Sequence, residues 1–218
     1  MITEKEHLQS LQDIRQMMEK SSRFISLSGW SGVSAGICAL IAAWIAHGRI
    51  ADYRWTSGLT EGLSRGTYDA RRSYTALEKE LLLLAAGTFI VAGIVAFIFT
   101  WLRSRKTGVP VWGFTARRVM INVLIPMAAG GLVILRMMDI GYYGLIAPVS
   151  LIFYGLALIN ASKYTLPDIR YLGFAQLVLG SINLWLVGWG LYFWAIGFGV
   201  LHILYGFVMW WKNERKQG

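Results

Sequence analysis

A histidine stands at position 202, inside the run GFGVLHILYGF (Gly197–Phe207), which is otherwise apolar. A neutral imidazole offers one hydrogen-bond donor and one acceptor, and it can also carry a proton or ligate a metal. Other polar side chains in long apolar stretches are few: Asn122, Gln176 and Asn183, with Tyr205 three residues beyond the histidine. Gly173, Gln176, Gly180 and Asn183 recur at spacings of three and four, as do Ala195, Gly199, His202 and Gly206. Each set therefore falls on one face of a helix. A polar group in hydrocarbon must find a partner or cost several kcal/mol (about 4–8 against cyclohexane). His202, Gln176, Asn183 and Tyr205 form the candidate polar site.

Three roles are open to that site: an interhelical hydrogen bond, a polar pocket or proton path, or a metal or haem ligand. The first is favoured. If the chain turns back near Trp189, Gln176 comes level with His202, Gly180 with Gly199 and Gly173 with Gly206. The expected pair is then His202 with Gln176. The other histidines, His7 and His47, lie outside the apolar runs, and Cys38 is the sole cysteine. No Walker loop, H-E-x-x-H, G-x-S-x-G or paired-cysteine motif occurs, and no cofactor or catalytic residue is implied.

The elements that must position these residues are membrane spans. Of 218 residues, 56% are hydrophobic and 15% charged, with a mean hydropathy of +0.49. A soluble domain carries about a quarter charged residues. A bilayer crossing needs about 20 mostly apolar residues, and six stretches qualify: residues 24–46, 81–102, 119–138, 142–161, 171–189 and 191–211. The fold expected is all-α, an integral membrane six-helix bundle. Residues 1–23 form a cytoplasmic amphipathic helix, with Leu8, Leu11, Ile14 and Met18 on one face and Thr3 and Glu6 at capping-box spacing. Residues 212–218 form a basic cytoplasmic tail. The one long connection, residues 47–80, continues as helix into the second span from about Thr67. The glycyl link between the fifth and sixth spans predicts a tight antiparallel hairpin.

Basic residues set the orientation. Lys5, Arg15, Lys20 and Arg23 precede the first span. Arg103, Arg105, Lys106, Arg117 and Arg118 lie between the second and third, Lys163 and Arg170 between the fourth and fifth, and Lys212, Arg215 and Lys216 after the sixth. Six of the remaining basic residues fall in the 47–80 connection, where acids accompany them. The positive-inside rule then places both termini in the cytoplasm, in the cytoplasmic membrane. The net charge of +9 is accounted for by these span ends, so no nucleic-acid partner is expected.

Ser28, Gly32 and Gly36, spaced by four, form a small-residue stripe on the first span. Such stripes let helix backbones approach closely. Packing inside the bundle is favoured over homodimerisation. Gly173, Gly180, Gly199 and Gly206 are assigned to helix packing in the same way. YGLIAPVSLIFYG (residues 143–155) aligns with WAIGFGVLHILYG (residues 194–206) at an offset of 51. If this is a repeat, spans three–four and five–six are duplicated hairpins.

The segment IRQMMEKSSRFISLSGWSGVSAG (residues 14–36), most clearly its SSRFISLSG core, resembles the start of uncharacterised bacterial multi-pass membrane proteins. The resemblance implies a cytoplasmic-membrane location and carries no activity. The sequence therefore predicts a multi-pass membrane protein that is a non-enzymatic sensing, regulatory or scaffold module. The alternatives are a small transporter or channel built around the last two spans, and an intramembrane enzyme or cofactor-binding protein. The bilayer is the one partner required; a homo-oligomer or a cytoplasmic protein partner is the further expectation.

Overall fold

The computed structural model describes residues 28–61, 67–107 and 112–213, and these are helical almost throughout, with no strand among them. The amphipathic helix expected over residues 1–23 and most of the basic tail lie outside the described residues. Six helices follow one another: α1 (Gly29–Glu61), α2 (Thr67–Thr107), α3 (Phe114–Asp139), α4 (Ile146–Ala161), α5 (Ile169–Trp185) and α6. The last is composite, α-helical over Gly190–Trp194, π-helical over Ala195–Val200 and α-helical again over Leu201–Asn213. Among the described residues five stretches are long and apolar enough to cross a membrane: Gly29–Tyr53, Leu77–Lys106, Phe114–Asp139, Tyr143–Ala161 and Val187–Lys212. The fifth expected span is the 17-residue α5, below that length.

The connection expected over residues 47–80 is mostly helix. α1 runs on to Glu61 and α2 begins at Thr67. Two spans thus extend past their apolar parts rather than ending in a loop.

Pairing of the helices departs from the hairpin expected for the last two. α5 lays its glycine face on α4, and α6 lays its own on α1. A Cβ added to Gly173 would lie 2.9 Å from the Gly155 carbonyl oxygen, and one added to Gly206 would lie 2.6 Å from that of Gly29. Gly180 faces Pro148, and Gly36 faces Gly199 at 2.6 Å. The expected levels Gly180–Gly199 and Gly173–Gly206 are therefore not contacts. The turn at Leu186 and Val187–Trp189 allows each helix to seat its smallest residues against a different neighbour, where two backbones approach closest. The Ser28–Gly32–Gly36 stripe faces α6: Ser28 is buried, and a Cβ on Gly32 would lie 3.1 Å from the Gly206 Cα.

These two crossings share one register. Gly155 meets Gly173 and Leu177, four apart; Gly206 meets Gly29 and Val33, four apart. Gly180 meets Pro148 and Ile152; Gly36 meets Gly199 and Ile203. On α4 and α6 the equivalent positions differ by the offset of 51 already seen in the sequence. Their partners also align, GFAQLVLG on α5 with GWSGVSAG on α1. The structural units that correspond are α4–α5 and α6–α1, not spans three–four and five–six.

A proline determines how α3 joins α4. Pro126 lies inside α3 and has no amide hydrogen, so the carbonyl of Asn122, four residues back, loses its helical donor. Asn160 Nδ2 of α4 donates to that oxygen at 3.1 Å. At the same end of the bundle Lys212 of α6 pairs with Asp168, which precedes α5, at 2.9 Å. At the opposite end of α3, Arg136 and Asp139 pair one helical turn apart, both exposed.

Candidate functional site

A second freed carbonyl organises the polar residues. In the π-helical turn of α6 the amide of Leu201 donates to Ile196 O, five residues back, and so bypasses Gly197 O. π-turns inside helices occur frequently at functional sites. Two side chains take the bypassed oxygen. Gln176 Nε2 of α5 donates to it at 2.7 Å, and His202 Nδ1 lies 3.0 Å away. The site requires glycine at 197: a Cβ there would run into the Leu151 side chain and lie 2.6 Å from Gln176 Oε1. Gln176 is fully buried and His202 nearly so.

His202 and Gln176, the expected pair, are thus not bonded to each other. They converge on one backbone oxygen because α5 packs mainly on α4 and only lightly on α6. The histidine's second nitrogen goes to α4: Tyr154 Oη and His202 Nε2 are 2.7 Å apart. A carbonyl oxygen only accepts, so Nδ1 carries the imidazole proton. In the neutral ring Nε2 then accepts, and the Tyr154 hydroxyl donates to it. The two rings stack with centroids 5.4 Å apart, and the Phe198 ring lies beside both, 6.1 Å from that of His202 and 5.0 Å from that of Tyr154.

The remaining candidates serve elsewhere. Asn183 Nδ2 donates to Leu186 O at 3.0 Å and closes the C-terminus of α5. The Tyr205 hydroxyl is buried without a hydrogen-bond partner among the described residues, as are Gln176 Oε1 and Asn183 Oδ1. Sequence reasoning missed Tyr154 and Gly197. Tyr154 carries a usable signal, since tyrosine in a span normally sits at the interface and this one lies well inside the fourth apolar stretch. Among the described residues no three His, Cys, Asp or Glu side chains gather as a metal site would require.

Tyr154 and His202 form the polar wall of a cleft of about 360 Å³, within the range of small-molecule sites. Small side chains open it. Ala92 and Gly93 of α2 face Gly130 and Gly131 of α3 across it, with Trp194 and Phe198 of α6 at the aromatic end. A Cβ on Gly93 or Gly131 would meet nothing within 4 Å. α2 packs mainly on α1 and α3 mainly on α4, so the cleft lies between two helices that carry long exposed apolar faces, including Leu83, Phe89, Phe97, Leu132 and Leu135.

No protein-family model matches the chain, and it matches no curated protein and no solved structure. Its described part belongs to the class of all-helical proteins with membrane-compatible helices.

Proposed function

We propose that this chain is a six-span protein of the cytoplasmic membrane, with both termini in the cytoplasm, and that it works as a non-enzymatic sensing or regulatory module whose input site is the cleft. The six-span count rests on α5 in addition to the five longer stretches. Its exposed residues Tyr171, Phe174, Val178, Ile182 and Trp185 follow a helical spacing and make one apolar face suited to lipid. The orientation rests on the basic residues of the short connections.

The observation that carries the reading is the position of the cleft wall. Tyr154 holds His202, and His202 holds the carbonyl that the π-turn frees. A molecule in the cleft therefore acts on the middle of α6, whose far end bears the basic tail. A helix with a bypassed carbonyl has two nearby hydrogen-bond registers, which is the kind of bistable element a sensor needs. The amphipathic sequence of residues 1–23 and the basic tail are the segments this reading offers to a cytoplasmic partner.

Reconstitution distinguishes this reading from transport. Liposomes carrying the purified chain are expected to pass ions and small polar solutes no faster than protein-free liposomes. Solute flux that Gly131→Phe abolishes, by filling the cleft, would replace the sensor with a transporter.

A further inference from the structure

We infer that the cleft binds an amphipathic, lipid-soluble alcohol or phenol, and that it selects the ligand's hydroxyl as a hydrogen-bond donor through the oxygen of Tyr154. The inference rests on the cleft's being an input site, as proposed above, and adds the chemistry of what enters.

The selection follows from the direction of the hydrogen bonds. Gly197 O can only accept, so the imidazole proton is fixed on Nδ1 and Nε2 faces Tyr154 as an acceptor. The Tyr154 proton is thereby committed to His202. The Thr88 and Ser150 hydroxyls that also line the cleft are committed as donors to Leu84 O and Ala147 O. What remains for a ligand is acceptor capacity, foremost the second lone pair of the Tyr154 oxygen. A hydroxyl can satisfy it; an ether or ketone of the same shape brings another acceptor and leaves both oxygens unpaired in an apolar site. The rest of the lining points to an apolar body. Ala92, Gly93, Gly130 and Gly131 carry no polar side chain, and the aromatic rings of Trp194 and Phe198 flank the polar wall, where they favour a planar ring or a hydrocarbon chain. Entry is from the bilayer, since the helices on either side of the cleft present exposed apolar faces. Ionic headgroups are disfavoured because the lining holds no Asp, Glu, Lys or Arg and the imidazole is neutral in this hydrogen-bond pattern.

The test uses the full chain in nanodiscs with two radiolabelled probes that differ in one methyl group, 4-octylphenol and 4-octylanisole. The phenol is expected to bind saturably, one per chain, at least fivefold more tightly than its methyl ether, the value of about one hydrogen bond. Gly93→Phe and Gly131→Phe, which fill open space, are expected to remove saturable binding of both probes. In Tyr154→Phe with His202→Leu both polar partners are gone together, so the fold is retained and the two probes should bind alike. A phenol preference below fivefold in the wild-type chain overturns the inference; if the filled variants still abolish binding, the cleft remains an input site with another ligand class. Saturable binding of neither probe, or binding that survives both phenylalanines, overturns the inference and the input-site reading together. A phenol preference that persists in the double variant also overturns it, because the donor is then read by some other group.

Discussion

At the residue scale, the bond from Tyr154 to His202 and the shared acceptor Gly197 O predict different couplings. Tyr154→Phe leaves His202 Nε2 without a donor, and His202→Leu leaves the tyrosine hydroxyl without an acceptor. Each is expected to lower stability in detergent by about 1–3 kcal/mol. The double variant removes both groups and should cost clearly less than the sum, with a coupling energy of about 1 kcal/mol. Gln176 behaves otherwise. It and His202 share one oxygen, so removing either leaves Gly197 O bonded to the other. Gln176→Leu with His202→Leu should therefore cost more than the sum of the two, because only the double variant leaves the buried Gly197 oxygen without a partner. Thermal unfolding of the wild-type chain and these variants reads both cycles by their sign, and a double variant of Gln176 and His202 that costs less than the sum would contradict the shared acceptor.

Helices meet in this protein where a side chain is missing or a carbonyl is freed, and each device yields a prediction at the scale of the element. Gly206 lets α6 touch α1: a Cβ there would lie 2.6 Å from both the Gly29 oxygen and the Val33 nitrogen. Those are backbone atoms and cannot step aside alone. Gly206→Ala should lower the melting temperature by the equivalent of about 1–3 kcal/mol. Gly48→Ala on α1, where a Cβ meets nothing, should instead raise it by up to about 1 kcal/mol through helix propensity. The α3–α4 joint depends on the carbonyl that Pro126 releases. Asn160→Leu should cost about 1–3 kcal/mol in the wild-type chain. It should cost less in a Pro126→Ala background, where the restored amide at position 126 can take the Asn122 oxygen. Equal costs in the two backgrounds would show that the proline does not create the site for Asn160.

At the scale of the whole molecule, the proposed passage through the bilayer is tested by labelling at the two ends of the bundle. In a Cys38→Ser background, a cysteine replacing Tyr142, exposed between α3 and α4, should react in whole cells with an impermeant maleimide. One replacing Trp112, exposed just before α3, should react only after the membrane is opened. The reverse pattern would invert the topology. The repeated register of α4–α5 and α6–α1 belongs to this scale too. It places Tyr154 and Tyr205 at equivalent positions of two helix pairs, yet only Tyr154 meets a histidine, because the residue 51 before His202 is Leu151. The two units are alike in packing, and each contributes one residue of the polar wall of the cleft, Tyr154 from the first and His202 from the second.

Composition, the length of the apolar runs and the distribution of lysine and arginine were enough to read an all-helical chain with membrane-compatible spans, because hydrocarbon imposes length and backbone satisfaction on each segment locally. The small-residue stripes were legible for the same reason: spacing along one helix is a property of that helix. Which stripe meets which was not. Gly199 and Gly206 face α1, some 170 residues away in sequence, and adjacency in the chain suggested α5 instead. The bond from Tyr154 to His202 was hidden likewise, since it joins helices whose relative rotation is set by packing. Gly197 O was the least visible of all. A backbone oxygen has no letter in the sequence, and it became a hydrogen-bonding centre only because the π-turn of α6 moved the amide that would otherwise have covered it.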